Sequence, residues 1–219
     1  MENATKTGTA DLVVRVWGMG ANGKVFSQNA YARDLSHEGA LISGVDSAPN
    51  VGDTIGVQYQ DRKARCQVAS AKDVGLPQKV QVEVRLLSGQ DCPWKELVPT
   101  TAPRPKSPAA PNSKRRFERH RVPFPIEIRD ERGGGAPMQT SASDSSGRGC
   151  YVESLVPLPL GTQLSVSFWI DLEKIVTPAI VRTSDPGVGM GIEFTGLSQA
   201  NQDRLQQKLE EVNTDAKKL

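Results

Sequence analysis

Histidine is nearly absent from this 219-residue chain, which holds only His37 and His120. Its three cysteines, Cys66, Cys92 and Cys150, are odd in number and scattered, with no C-x-x-C pair. Neither a disulfide framework nor a zinc or other metal site is expected from such spacing. The cysteines read as small buried hydrophobes and the two histidines as exposed loop residues. No apolar run approaches the roughly 18 residues that cross a bilayer, so no transmembrane segment is expected. Met1 to Ala10 is polar and lacks the apolar core of a signal peptide, which points to a soluble, cytoplasmic protein. Catalytic frames are missing as well. There is no Ser/His/Asp or Cys/His arrangement, and Gly133-Gly134-Gly135 has no Lys-Ser/Thr to hold a phosphate. Catalysis and a resident cofactor are therefore not expected. The net charge of +2, from 27 basic and 25 acidic residues, is too balanced to name a partner.

Proline, by contrast, is concentrated. Pro99, Pro103, Pro105, Pro108 and Pro111 fall within 99–113 among Thr, Ala, Ser and Lys. Proline at that density removes backbone donors and favours an extended spacer, so this stretch reads as a linker between residues 10–98 and 114–213. Both flanking halves show period-two alternation. Ile55, Val57 and Tyr59, then Ala64, Cys66 and Val68, then Val80, Val82, Val84 and Leu86 alternate with polar neighbours. In the second half Leu164, Val166, Phe168 and Ile170 do the same. Such runs are half-buried strands, and Gly20-Ala21-Asn22-Gly23, Pro49-Asn50-Val51-Gly52 and Asp185-Pro186-Gly187 supply turns between them. The fold class is mainly β, with about six short antiparallel strands and one small barrel in each half. Ser198 can cap a C-terminal α-helix running to about Asn213, with Leu205, Leu209 and Val212 on its core face. Trp17, Trp94 and Trp169 read as packing or edge residues. Trp169 falls on the polar phase of its strand, where it is open to a partner.

The charge that matters is local. Lys114, Arg115, Arg116, Arg119 and Arg121 crowd into eight positions opposed only by Glu118, which raises anion affinity there. Downstream comes Asp144-Ser145-Ser146-Gly147-Arg148-Gly149, a D-x-S-x-x-G turn followed by the strand-like Cys150-Tyr151-Val152-Glu153. The first half repeats this turn as Asp34-Leu35-Ser36-His37-Glu38-Gly39, at an offset of 110 residues that also maps Glu83 onto Glu193. Gly52-Asp53-Thr54-Ile55 matches Gly161-Thr162-Gln163-Leu164 with a one-residue slip, which supports a duplicated module.

The arginine pair Arg115/Arg119, the D-x-S-x-x-G turn and the β-rich sequence after it, in this order, resemble the PilZ family. Its members are bacterial proteins that bind the second messenger cyclic di-GMP, and none of the signatures of the cyclase or phosphodiesterase that make or destroy it occurs here. The resemblance implies two PilZ-like antiparallel β-barrels, the second a cyclic di-GMP receptor. By the same resemblance Arg115 and Arg119 wrap the ligand, while Asp144, Ser146 and Gly149 form the turn that holds a guanine. Arg116 is an auxiliary contact and Arg148 a weaker one. The chemistry suits the ligand. A guanidinium fork donates two parallel hydrogen bonds to guanine O6 and N7 or to two phosphate oxygens, and it stacks on a base. The Asp144 carboxylate can accept from guanine N1–H and N2–H₂, Ser146 adds a hydroxyl, and Gly149 allows close backbone approach.

The first half departs from the pattern. Thr5 and Thr9 stand where the arginine pair would fall, and no arginine occurs before Arg15. This half is expected to be a degenerate PilZ-like barrel that binds no ligand and instead holds the second domain or a partner protein, with Asp34, Ser36 and Gly39 only shaping a turn. No specific nucleic-acid binding is expected. The competing readings are a small barrel that binds nucleic acid through the basic segment and a structural adaptor with both sites dead. Only Phe117 and Val122 are apolar anchors for the arginine segment, so ligand is expected to order it and reorient the barrels.

Overall fold

The computed structural model describes residues 11–75, 79–98, 117–131 and 136–216. The linker at 99–113, Arg115, Arg116, Thr5, Thr9 and the Gly133–Gly135 loop lie outside the described residues. Six strands make the first barrel: β1 (Leu12–Met19), β2 (Val25–Arg33), β3 (Gly39–Val45), β4 (Thr54–Tyr59), β5 (Arg62–Gly75) and β6 (Lys79–Leu86). Six more make the second: β7 (Phe124–Asp130), β8 (Met138–Ser146), β9 (Gly149–Glu153), β10 (Gln163–Ile170), β11 (Glu173–Asp185) and β12 (Gly189–Phe194). A single helix, α1 (Gln199–Ala216), follows and runs three residues beyond the expected Asn213.

Both barrels are closed and share one topology. The strand orders are β1-β2-β3-β6-β5-β4 and β7-β8-β9-β12-β11-β10, with closure by antiparallel pairing of β1 with β4 and of β7 with β10. Closure leaves no edge strand to attract foreign pairing. The turns that open with Gly52 and Gly161 share one hydrogen-bond pattern. Gly52 donates its N–H to Val68 O at 2.9 Å and Val68 returns one to Asp53 O, while Gly161 donates to Val181 O and Val181 returns one to Thr162 O. Gly52 and Gly161 sit at φ of 94° and 82°, where a side chain would be strained, so glycine opens both turns.

The alternation seen in the sequence is the inward phase of these strands. Ile55, Val57, Cys66, Val68, Val82 and Val84 are buried in the first core, and Leu164, Val166, Phe168 and Ile170 in the second. Each barrel has its own cluster of buried apolar side chains. In the second, Phe168 meets Phe124 and Phe194 at centroid separations of 5.7 and 5.4 Å, tilted as aromatic quadrupoles prefer. Trp17 covers Gly56 across the β1–β4 pair, and a Cβ at Gly56 would collide with the indole. Trp94 is fully buried, whereas Trp169 is 58% exposed on the outer phase of β10. All three cysteines are buried as free thiols.

Helix α1 starts where Ser198 accepts the Asn201 N–H on its hydroxyl at 3.3 Å and the Gln202 N–H on its carbonyl at 2.9 Å. Leu205 and Leu209 are buried in the second core and Val212 packs against it. Arg204 and Lys208, on an exposed face, reach Glu173 and Asp171 at the β10–β11 hairpin, at 2.7 and 3.0 Å. The helix thus belongs to the second barrel. No helix among the described residues is long and apolar enough to cross a membrane.

Candidate functional site

The D-x-S-x-x-G turn is the β8–β9 hairpin. Ser146 pairs with Gly149 and Ser145 with Cys150, leaving Gly147 and Arg148 as the two-residue loop. The register shifts between Ala142 and Asp144, and this irregularity breaks the strand's inside–outside alternation. As a result Asp144, Ser145 and Ser146 are all buried, at 7%, 2% and 7% exposure. The Ser146 hydroxyl donates to Gly149 O at 3.4 Å, the same bond that Ser36 makes to Gly39 O at 3.0 Å in the first barrel.

Arg119 comes to this turn through its neighbour. His120 and Ser145 form an isolated antiparallel bridge, with N–H···O distances of 2.8 and 2.9 Å in the two directions. That bridge lays the end of the basic segment along β8 and sets Arg119 Nη1 3.7 Å from Asp144 Oδ2. Asp144 is buried while the Arg119 side chain is 48% exposed, so the guanidinium is open to solvent beside a carboxylate that is not. Val122 enters the core two residues after His120, and Phe117 is half-buried beside Gly147. Arg148, on the loop, pairs with Glu193 at 3.6 Å, and Glu193 also binds Arg182 at 2.5 Å.

His120 corrects the sequence expectation. It is 5% exposed rather than an open loop residue, because its backbone is bridged to β8 and its ring lies beneath α1. Its Nε2 is 2.8 Å from Gln206 Nε2 and 3.9 Å from Glu210 Oε1. Gln206 also accepts the Gly147 N–H on Oε1 at 3.0 Å. Neither Gln206 nor Ser145 stood out in the sequence. Gln206 flanks the Leu205/Leu209 stripe, where a polar residue ordinarily faces water. Ser145 is the variable position of its motif; its hydroxyl is buried with no hydrogen-bond partner among the described residues.

Glycine at 149 is required by the barrel itself, since a Cβ there would strike the Ile192 carbonyl on β12. At Gly147 it would strike Gln202 O of α1. Burial pushes the Cys150 thiol, paired opposite Ser145, up to about 12, with the Asp144 charge adding and Arg119 opposing. Among the described residues no group of three or more His, Cys, Asp or Glu side chains is placed to hold a metal ion.

The turn of the first barrel is built differently. Strand β2 ends at Arg33, so Asp34 to Glu38 form a true loop, and Asp34 sits at φ 51°. The Ser36 carbonyl accepts the Trp94 indole N–H at 2.9 Å and the Cys92 thiol at 3.7 Å. Chain following the last strand therefore closes over this turn with a fully buried indole.

Residues 113–211 match the family model described as PilZ domain. The second barrel is a PilZ domain. No curated protein matches the chain by sequence. Solved structures similar to it include the Bacillus subtilis inhibitor of motility MotI/DgrA, at 13% identity and a TM-score of 0.41, covering 94% of this chain and 98% of that one. YcgR of Escherichia coli in complex with c-di-GMP is 14% identical, with a TM-score of 0.44 and coverage of 94% and 86%. The K. pneumonia MrkH–c-di-GMP complex is 12% identical, with a TM-score of 0.43 and coverage of 94% and 89%. The matched segment folds as β7–β12 and most of α1.

Proposed function

We propose that the protein is a cyclic di-GMP effector whose PilZ domain binds the messenger through Arg115, Arg116, Arg119, Asp144, Ser146 and Gly149. The observation that carries this reading is the Arg119–Asp144 pair, held at the mouth of the Ser146–Gly149 turn by the His120–Ser145 bridge. A buried carboxylate beside a half-exposed guanidinium offers acceptors for guanine N1–H and N2–H₂ together with a fork for phosphate or the Hoogsteen edge. Asp144 would hold the base and the arginines would close over the ring phosphates. Arg148 is an ancillary cation, already satisfied by Glu193.

The first barrel serves as an accessory module that takes a protein partner and no nucleotide. Its turn is covered by Trp94, and the positions that would hold arginines are threonines. Ligand would order the arginine segment and thereby change the disposition of the two barrels. A conformational relay needs ligand contacts that differ between the two arrangements, and neutralised arginines supply that difference.

Isothermal titration of cyclic di-GMP into the full chain tests the binding. Micromolar or tighter affinity is expected, lost in the Arg115→Ala/Arg119→Ala double variant and in Asp144→Ala. An adenine analogue is expected to bind much more weakly, because it lacks the donor pair that Asp144 reads. Binding of oligonucleotides that falls steeply with salt and survives Asp144→Ala would favour the nucleic-acid alternative. Small-angle scattering with and without saturating ligand tests the relay; identical profiles would remove it.

A further inference from the structure

One side chain of α1 holds both halves of the proposed site. Gln206, 8% exposed, accepts the Gly147 N–H on Oε1 and donates from Nε2 to His120 Nε2 and to Glu210 Oε1, the last at 3.1 Å. Gly147 follows Ser146 in the D-x-S-x-x-G turn, and His120 follows Arg119 in the basic segment. We infer that Gln206 is a positioning residue for the cyclic dinucleotide site, tying the C-terminal helix to the guanine-holding turn and the arginine segment at once. The inference rests on the cyclic di-GMP reading given above.

The polarity of the contact makes this specific. Gly147 N–H can only donate, so it fixes the amide with oxygen toward the turn and nitrogen toward the imidazole. The amide nitrogen can only donate, so His120 must offer a lone pair at Nε2 and carry its proton on Nδ1. Neutral His120 satisfies every partner. Protonated His120 presents an N–H where an acceptor is needed, and turning the amide would set its nitrogen against the Gly147 N–H. The charged group on the helix side of the ring is Glu210; on the β8 side Asp144 and Arg119 flank the bridge. Glu210 could accept from a protonated ring, but at 3.9 Å only after moving, which would draw the imidazole from its place. An unpartnered polar group in so buried a spot is costly, and the segments bearing Arg119 and Ser146 would shift to reach water.

Two substitutions separate positioning from mere support of the fold. Gln206→Leu keeps the volume and removes both polar contacts. Gln206→Glu keeps the acceptor for Gly147 and can accept from the ring once neutral His120 carries its proton on Nε2, but it sets a second carboxylate beside Glu210. With full-length protein, Gln206→Leu is expected to weaken cyclic di-GMP binding by about tenfold or more, the scale of stranding buried hydrogen-bonding groups. Gln206→Glu, which restores the acceptor for Gly147, is expected to bind cyclic di-GMP more tightly than Gln206→Leu. A role in helix packing alone would favour Gln206→Leu, which keeps an apolar side chain of similar volume at a buried position. Wild-type binding abolished by Asp144→Ala but unchanged in Gln206→Leu would overturn the positioning role alone, as would tighter binding by Gln206→Leu than by Gln206→Glu. If Gln206→Leu does not fold, Gln206→Ala takes its place in the comparison with Gln206→Glu. No binding by the wild type would overturn the ligand reading and this inference with it.

Discussion

Gly149 and Gly39 occupy the same place in their barrels and are glycines for the same mechanical reason. A Cβ at Gly149 would strike the Ile192 carbonyl, and one at Gly39 would strike the Val84 carbonyl, each on the neighbouring strand. The motif's glycine therefore recurs in a barrel whose sequence lacks the arginine pair, because the barrel itself needs it. Gly149→Ala is expected to destabilise the second barrel by about 1–3 kcal/mol, the usual cost of overpacking, measurable as a lower urea midpoint. The thiols make a separate prediction. Burial pushes both Cys66 and Cys150 up to about 12, so each stays protonated in the folded state at pH values where an unfolded thiol ionises. The unfolded chain then binds fewer protons, and stability falls as pH rises from the ordinary thiol range toward 12. The slope is about 1.4 kcal/mol per pH unit for each thiol. Alkaline denaturation curves check this, and Cys150→Ala is expected to reduce the slope by one thiol's share.

At the scale of elements, the segment after the last strand acts on the motif turn in both barrels, by different means. In the first, Trp94 covers the turn with its ring and binds the Ser36 carbonyl. In the second, α1 lies on the turn through Gly147 and keeps its apolar stripe on the core. Trp94→Ala is expected to cost about 3–5 kcal/mol by opening a cavity and freeing that carbonyl. Its check is the thermal transition of the first barrel. Leu209→Ala removes a side chain with no exposed surface and is expected to cost the second barrel about 2–5 kcal/mol. Ligand affinity is expected to fall with it, because α1 carries Gln206. These elements differ in how far the sequence showed them. The strands were legible because a two-residue period is a direct image of burial, and α1 because Leu205, Leu209 and Val212 recur at helical spacing. The burial of His120 was not legible. A bridge to Ser145 joins residues 25 apart, and the amide that receives its ring is 86 residues away.

Across the whole molecule there are two barrels of one topology, each with its own apolar core. Separate cores predict separate responses. Saturating cyclic di-GMP at about 100 times its Kd would stabilise the domain that binds it by about 2.7 kcal/mol. Calorimetry is therefore expected to show a ligand-dependent shift in the second barrel's transition only. Ile42→Ala, a change at a fully buried position of the first core, is expected to lower the other transition and leave the shift intact. A shift of both transitions by ligand would count against confinement of the nucleotide to the PilZ domain. The sequence by itself determined the β class, the duplication, the helix and the motif residues, because alternation, turn chemistry and short motifs are local properties of the chain. Only the tertiary structure decided that Asp144 is buried by an irregular strand, that Arg119 is brought to it through a backbone bridge, and that Gln206 joins both. Those placements depend on register and packing between segments far apart in the chain, which no local pattern encodes.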